Sequence, residues 1–208
     1  ALIYYDMAPA GSGATRDEIQ FKKGYAYFVT KQFPRAKGAF AGLKENTRSD
    51  WYYPSNYYSG CCSFFEGKYD EAEKSFKRCE QSDKYKQSVP YYITQIYAAK
   101  KQYDQVIAYG EPKTKSADLK NKAEINQLVG QAYYEKGDYK KALPFLEFAA
   151  SNGVQLRPAD YYQLGYTQYQ NAAYKPAIEN FEQLTKQDSL LGQNGLYHLG
   201  DCYLKTKN

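Results

Sequence analysis

The sequence has little of the residues that most often carry chemistry: its 208 residues include one His, one Met and one Trp. No stretch approaches the roughly 18 consecutive apolar residues that a membrane-spanning helix needs. Lys and Arg are interleaved with Asp and Glu, so the net charge of +5 is spread along the chain. Without a run of about five like charges, a solvated helix surface explains this charge better than a nucleic-acid or membrane patch.

Candidate catalytic and metal-binding groups are equally scarce. His198 has no Ser–His–Asp or Cys–His arrangement around it, so a structural or surface role is the better interpretation. Cys61 and Cys62 point to different faces of one predicted helix and cannot offer two ligands to one metal ion. Buried thiols are expected at these residues and at Cys79 and Cys202, with a Cys62–Cys79 bridge as the alternative. The sequence predicts no catalytic, cofactor or metal site, and therefore not an enzyme.

Tyrosine is the residue that the chain has in excess, with 25 copies. A tyrosine buries its ring and keeps a hydroxyl for water or a partner. So many half-buried aromatic positions suit a thin, elongated fold better than one thick core.

A repeat of about 35 residues runs through the chain. It is marked by glycines, here called the register glycines, and Thr94 takes the glycine's place in the third unit. The register glycines are Gly24, Gly60, Gly130, Gly165 and Gly200. Nine residues after the first four glycines and after Thr94 comes an aromatic residue, and after twelve comes Ala, or Val in the third unit. After sixteen comes a large residue, here called the large anchor, except for the glycine of the third unit; these residues are Phe40, Phe76, Gly110, Leu146 and Phe181.

This register resembles the tetratricopeptide repeat, a helix–turn–helix unit with small residues and an aromatic at the same spacings. The Trp that is usual early in the unit is absent; Gln20, Asn56, Pro90, Asn126, Tyr161 and Leu196 stand there. The resemblance implies an all-α, right-handed superhelix of about five to six units, each with a helix A and a helix B. Because no unit can bury its apolar face alone, stacking of the units is what makes the fold.

The periodicity predicts eleven helices at 17–30, 33–46, 51–66, 69–81, 88–100, 103–110, 118–136, 139–151, 158–171, 174–186 and 189–205. As a single array over 1–208, the repeats span 17–50, 51–86, 87–117, 118–156 and 157–188. Residues 1–14 are expected to end a preceding helix B, and 189–208 to form helix A of a sixth repeat, so the array is predicted to be truncated at both ends. The small residues of helices A and B are expected to face each other.

Turn chemistry supports this division. Gly67 and Gly137 suit a left-handed residue after a helix, and Asp138 suits the cap of the next helix. The third repeat departs from the pattern, because Thr94, Val106 and Gly110 replace the usual small and large residues. Gly110 and Pro112 are expected to end helix B early. Either residues 106–118 form a soft joint or a change in superhelical pitch, or this is an ordinary divergent repeat.

In the family, defined positions of each helix A line a concave groove. Carried over, they are aromatic in the first half of this chain and Tyr/Gln in the second. The predicted partner-binding residues are Phe21, Tyr25, Phe28, Tyr57, Phe64, Tyr91, Gln95, Gln127, Gln131, Tyr134, Tyr162, Tyr166 and Tyr169, with Val29 and Phe65 following two of them directly. The Lys and Asn of the family's carboxylate clamp are missing. The alternative is that these rings pack on neighbouring A helices.

The resemblance therefore implies a non-catalytic scaffold that binds a protein or peptide, or that packs into a larger assembly. RNA binding is the alternative from another class, but the groove positions carry no repeated polar pair. Attachment to an enzyme elsewhere in a longer chain is a third possibility. The residue pattern of the repeats also resembles that of long tetratricopeptide proteins of Bacteroidetes-type bacteria, which are often exported. That favours a periplasmic or outer-membrane-associated location, whereas four cysteines favour a reducing compartment such as the cytoplasm.

Overall fold

A computed structural model of the protein describes residues 16–206, and every regular element in this range is helical. The α-helices are α1 (Arg16–Val29), α2 (Phe33–Phe40), α3 (Tyr52–Phe65), α4 (Tyr69–Arg78), α5 (Val89–Ala99), α6 (Tyr103–Lys113), α7 (Lys122–Glu135), α8 (Tyr139–Ser151), α9 (Pro158–Gln170), α10 (Tyr174–Glu182) and α11 (Leu190–Thr206). A 3-10 turn at Leu43–Glu45 follows α2. None of these helices is long and apolar enough to cross a membrane.

The helices form two compact units, one up to Ile96 and one from Tyr97, and the division falls inside α5. In the first unit α1 packs on α2 and α3 packs on α4; in the second, α7 packs on α8 and α9 on α10. Odd-numbered helices are thus the A helices and even-numbered ones the B helices. Each B helix also contacts the following A helix, as α2 does with α3 and α10 with α11. The predicted all-α class and its sequential helix pairs are confirmed.

Close contact between the paired helices depends on the register glycines. A Cβ added at Gly60 would lie 3.0 Å from the ring of Phe76, and one at Gly130 would lie 2.7 Å from the side chain of Leu146. Gly24 and Gly165 meet Phe40 and Phe181 in the same way. At these four glycines the nearest atoms belong chiefly to the large anchor of the paired helix B, a neighbour that the predicted contact between the two small residues did not include.

The large anchors also form the centre of the packing. Phe40, Phe76 and Phe181 are fully buried. Each ring reaches the next helix A as well: Phe76 stacks on Tyr92 at 4.7 Å between ring centroids, and Phe181 on His198 at 5.6 Å. One side chain therefore joins three helices, which is why a unit is stable only within a stack.

Five turns between paired helices share one backbone conformation. The residue seven places after Gly24, Gly60, Thr94, Gly130 and Gly165 has a positive φ in each case. Gly67 and Gly137 are there as predicted, with φ of 72° and 75°. Lys31, Lys101 and Ala172 hold the same conformation, although a side chain makes it costly. Asp138 caps α8 by accepting a hydrogen bond from the Lys141 backbone N–H at 3.2 Å.

Several helix boundaries differ from the prediction. The helix expected at 103–110 continues to Lys113 with Pro112 inside it, so the early end at Gly110 was wrong. Pro112 and Ala108 are exposed, so the carbonyl that lacks a bond from Pro112 lies in an exposed part of the helix, where a proline costs less than in a buried one. The helix expected from 118 begins only at Lys122, because Asn121 has left-handed backbone with φ of 55°. B helices α2, α4 and α10 end three to six residues before the predicted positions of 46, 81 and 186.

Two predictions remain open. Residues 1–14, expected to end a preceding helix B, lie outside the described residues. The soft joint at 106–118 concerns motion and stays a prediction that hydrogen exchange would test.

Candidate functional site

The predicted residues of the first unit begin on one face of α1. Phe21, Tyr25 and Phe28 are spaced by four and three residues, which places them on the same side of a helix. Tyr58 of α3 contacts all three, with its ring centroid 5.0 Å from Tyr25, 5.1 Å from Phe28 and 5.9 Å from Phe21. Trp51 stacks on Phe21 at 4.5 Å. We call these five rings the first aromatic cluster; Tyr25 is its most open member, 43% exposed.

Sequence reasoning did not include Tyr58 and Trp51. Tyr58 follows the predicted Tyr57 and faces the preceding helix A. Trp51 lies directly before α3, outside the helix periodicity, as its N-cap residue. The only signal that could have marked them was the unusual density of rings around residue 55.

Tyr57 and Phe64 are used inside the fold more than on its surface. Tyr57 stacks on Tyr85 at 4.4 Å, and both Tyr57 and Phe64 contact Tyr92, at 6.1 and 5.6 Å. Burial raises the pKa of the Tyr57 hydroxyl far above its usual range. Rings at these positions therefore pack on the neighbouring helix A, as the alternative interpretation expected.

Tyr91 and Gln95 are both partly buried on α5. The Gln95 side-chain N–H donates to the Tyr91 hydroxyl at 2.7 Å. This bond joins residues one helical turn apart and holds the polar ends of both side chains together.

An apolar depression lies at the end of α1 and α3. It has a volume of about 540 Å³ and is lined by Phe28, Val29, Lys31, Phe33 and Phe65. Val29 is 60% exposed and Phe65 is 58% exposed. Phe65 stacks on Phe33 at 5.7 Å, so its ring is held in place although most of one side faces solvent.

In the second unit, tyrosines run along one face of α9. Tyr162 stacks on Tyr166 at 5.9 Å, Tyr166 stacks on Tyr169 at 6.2 Å, and Tyr134 of α7 meets Tyr166 edge-on at 6.1 Å. His198 of α11 lies 5.1 Å from Tyr166 and 5.2 Å from Tyr169. These four tyrosines and His198 form the second aromatic cluster, in which every member is partly buried.

A polar network borders this cluster. The Tyr169 hydroxyl donates to the Asp201 carboxylate at 2.5 Å, and the Lys205 ammonium donates to both of them, at 2.6 and 2.7 Å. Lys205 also lies 4.3 Å from the centre of the Tyr169 ring. The hydrogen bond from Lys205 holds the pKa of the Asp201 carboxyl below its usual range. Burial lowers the pKa of His198, whose Nδ1 is buried without a hydrogen-bond partner.

The two glutamines predicted on α7 are partly buried. The side-chain N–H of Gln131 donates to Asp160 at 2.9 Å. Asp160 in turn accepts from the backbone N–H of Arg157 at 2.9 Å and so caps α9. Gln131 thus supports the start of the next helix A, a role that its position in the sequence did not indicate.

The cysteines behave as packing residues. Cys61, Cys62, Cys79 and Cys202 are buried and free, so the alternative of a Cys62–Cys79 bridge is not realised. Burial raises the pKa of the thiols of Cys61, Cys62 and Cys79 to about 12, which suppresses the reactive thiolate. Residues 16–206 contain no group of three or more His, Cys, Asp or Glu side chains placed to hold a metal ion.

Comparison with known proteins agrees with the helix pairs. Residues 123–151, which form α7 and α8, match the family model for the tetratricopeptide repeat. No curated protein is similar enough to the chain to match it.

Three solved structures illustrate the fold. YrrB, described as a TPR protein with an unusual peptide-binding site, is 14% identical with a TM-score of 0.67, over 86% of this chain and 91% of its own. The C-terminal part of a TPR repeat-containing protein from Cytophaga hutchinsonii is 17% identical with a TM-score of 0.62, over 90% and 71%. A tetratricopeptide repeat protein from Parabacteroides merdae is 13% identical with a TM-score of 0.67, over 92% and 73%.

Identities this low establish a shared fold and nothing about shared partners. The match of one repeat to the family model, the register glycines with their large anchors, and the sequential helix pairs all agree. The chain therefore has the fold of tetratricopeptide-repeat structures, and its residues 123–151 match the model of that repeat.

Proposed function

We propose that the chain is a non-catalytic scaffold that binds a peptide segment or a helix of another protein through the aromatic faces of its A helices. The observation that carries this proposal is the apolar depression of the first unit. Val29 and Phe65 are both more than half exposed there. A contiguous patch of exposed apolar surface on a folded protein often marks a site where another molecule binds. Its volume of about 540 Å³ suits one or two apolar side chains of a bound peptide.

The second aromatic cluster supports the same role with different chemistry. Its partly buried tyrosines present ring surface and hydroxyl groups along one helix face. Such side chains combine apolar contact with hydrogen bonding at little cost in conformational entropy. YrrB, which shares the fold, is described as having a peptide-binding site.

The test starts from peptides selected on the folded protein by phage display, whose affinities are measured by fluorescence anisotropy. Phe65→Ala and Tyr25→Ala are expected to weaken binding by at least about tenfold, because each removes an exposed ring of the first unit. Lys74→Ala and Lys140→Ala, at exposed positions of B helices, serve as controls and leave binding unchanged.

Failure to enrich any peptide, or equal binding by the ring variants and the controls, would contradict the proposal. A separate titration with single-stranded RNA checks the other class of partner. Tight RNA binding with a steep dependence on salt would replace the scaffold proposal with nucleic-acid recognition.

A further inference from the structure

The last residue of helix A faces solvent in each of the five repeats that have both helices among the described residues. These residues, at the ends of α1, α3, α5, α7 and α9, are all exposed: Val29, Phe65, Ala99, Glu135 and Gln170. Because repeats that lie inside the array leave this position open, the stacking of further repeats does not cover it.

The two repeats of the first unit carry large apolar side chains at this solvent-facing position. Val29 is 60% exposed and Phe65 is 58% exposed, whereas the later repeats have Ala99, Glu135 and Gln170 there. Val29 and Phe65 both line the apolar depression of the first unit. Packing within the chain does not explain these two side chains, and neighbouring exposed apolar residues are expected where another molecule binds.

The rings of the depression are held in place within the chain itself. Phe65 stacks on Phe33 at 5.7 Å between ring centroids and meets Phe64 edge-on at 5.8 Å. Phe28 lies 6.2 Å from Phe33. Side chains that are already fixed lose little conformational entropy when a ligand covers them. The depression is therefore preorganised for a large apolar side chain.

Lys31 is the only charged residue among the described residues that line the depression. It has left-handed backbone with φ of 59°, at the turn position that Gly67 and Gly137 occupy in two other repeats. Its backbone N–H donates to the Phe28 carbonyl at 2.9 Å, which fixes the turn beside the depression. The side chain is exposed, and within the described part of the chain it forms no ion pair with a carboxylate. The Lys31 ammonium can therefore pair with a carboxylate of a bound molecule.

The charges around Lys31 are less evenly distributed than the interleaving along the whole sequence indicates. The chain contains 28 Lys and Arg and 23 Asp and Glu, and residues 19–44 contain six of the basic residues and none of the acidic ones. The rest of the chain is therefore close to neutral. Glu66, the acid that follows Phe65, already pairs with Lys37 at 2.6 Å and with Lys68 at 3.2 Å. The surroundings of the depression thus favour a negatively charged ligand.

We propose that this edge of the first two repeats, formed by Val29, Lys31, Phe33 and Phe65, binds a peptide segment in which a large apolar side chain is flanked by Asp or Glu. The apolar side chain enters the depression beside Phe65, and the neighbouring carboxylate pairs with the Lys31 ammonium. The single cation in the lining suits one carboxylate better than the repeated phosphates of RNA or of an anionic membrane. This inference rests on the proposed function and names the chemistry of the peptide.

The first test compares peptide selections on three forms of the full chain. A phage library of random linear peptides is panned in parallel on the wild type, Lys31→Glu and Lys101→Glu. The wild type is expected to enrich Asp or Glu next to Phe, Trp or Leu. Lys31→Glu is expected to enrich Lys or Arg there and to keep the apolar residue, because only the sign of the charge has changed.

Lys101→Glu is the matched control. Lys101 occupies the equivalent turn position of the third repeat, also with left-handed backbone, and its side chain is exposed. The same change of charge at the same kind of turn is expected to leave the preference for acidic residues unchanged.

The second test measures affinity by fluorescence anisotropy. The strongest wild-type peptide is synthesised together with a version in which Asn and Gln replace its Asp and Glu. The neutral version is expected to bind the wild type about three- to fivefold more weakly, the size of an ion pair at a partly exposed surface. Lys31→Gly is expected to bind both versions equally. Because that variant also relieves left-handed backbone, it keeps or raises the melting temperature, so the lost preference is not a folding defect.

The proposal is overturned if the enriched peptides are neutral or basic, or if Lys31→Glu keeps the acidic preference. It is also overturned if vesicles containing phosphatidylserine bind the chain and Phe65→Ala and Lys31→Glu both abolish that binding, since a membrane would then occupy the edge. Peptides that depend on Phe65 but show no acidic preference overturn this inference and leave the proposed function standing. Failure to enrich any peptide overturns both.

Discussion

The two units build their aromatic clusters from the same places on their A helices but from different side chains. In the first unit, phenylalanine and tryptophan rings dominate, and the cluster leads to the open depression beside Val29 and Phe65. In the second unit, tyrosines surround His198, and an ion pair between Asp201 and Lys205 lies beside the cluster, hydrogen-bonded to Tyr169. The helix spacing is shared, whereas the chemistry of the exposed edge is not.

This difference separates what stabilises the repeat from what is offered to a partner. The large anchors and register glycines recur in both units, so they belong to the packing. The exposed residues at the edge of each aromatic cluster are different in the two units. These residues are therefore expected to decide what each unit binds. Apolar contact in the first unit is expected to be insensitive to salt and pH, and the second unit contains groups that titrate or form ion pairs.

The largest expected effect tests whether both units depend equally on their large anchors. Phe76→Ala and Phe181→Ala each remove a fully buried ring, so each is expected to lower the free energy of unfolding by about 3–5 kcal/mol. Urea denaturation followed by circular dichroism measures the loss. Phe65→Ala is the control and is expected to cost about 0.5 kcal/mol or less, because its ring is mostly exposed. A small loss of unfolding free energy for only one of these variants would show that the two units do not depend equally on their large anchors.

A smaller effect is expected at the register glycines. Gly130→Ala places a Cβ 2.7 Å from the Leu146 side chain and 3.1 Å from its backbone nitrogen, and the backbone cannot move aside. We expect a cost of about 1–3 kcal/mol from overpacking. The nearest neighbours of a Cβ at Gly60 are atoms of the Phe76 ring, at 3.0 Å, so Gly60→Ala is expected to cost less because a ring can tilt. Thermal melts of both variants and of Gly38→Ala test this order, and an equal or larger loss at Gly60 would contradict it.

Substitutions at the positive-φ positions of the turns are expected to change the free energy of unfolding by about 1 kcal/mol or less. The sign depends on whether glycine is introduced or removed. Ala172→Gly and Lys31→Gly relieve left-handed backbone in the second and first unit, so both are expected to raise stability. Gly67→Ala and Gly137→Ala impose the same strain and are expected to lower it. Differential scanning calorimetry compares the four variants. If Ala172→Gly proved destabilising, the contacts of the Ala172 methyl group would outweigh the backbone strain.

The smallest expected effect is a pH dependence confined to the second unit. Burial lowers the pKa of His198 in the folded chain, with Asp201 raising it and Lys205 lowering it. Below the unfolded value of about 6.5 the unfolded chain therefore binds a proton that the folded chain does not. The free energy of unfolding is expected to fall as pH drops through this window and to be constant above it. Urea titrations between about pH 5.5 and 7.5 measure this, and His198→Phe should remove the slope. An unchanged slope in that variant would assign the effect to other groups.

Much of the fold could be predicted from the sequence because its signals are local and periodic. Gly24, Gly60, Gly130 and Gly165 each precede a large anchor by sixteen residues, and each turn between paired helices places its left-handed residue seven places after the glycine or Thr94. The errors arose where side chains and solvent decide the outcome. Pro112 is tolerated inside α6 because its neighbourhood is exposed, and Asn121 delays α7 by adopting left-handed backbone.

The candidate site was less predictable. Helix spacing placed Phe21, Tyr25 and Phe28 on one face, but it could not tell that Tyr57 packs against Tyr85 while Phe65 stays open. Whether a ring is buried depends on side chains that lie far away in the sequence and pack against it. The periodicity within one helix contains no information about those distant side chains.

The sequence by itself determined the helices, their pairing order and the small and large residues that make the pairing possible. Those features follow from spacing along a single chain, since residues three or four apart share a helix face. Only the tertiary structure decided which side chain fills the space beside Gly24, Gly60, Gly130 and Gly165, and which aromatic rings remain exposed. These are properties of contacts between helices, where the occupant of a space depends on which other surfaces reach it.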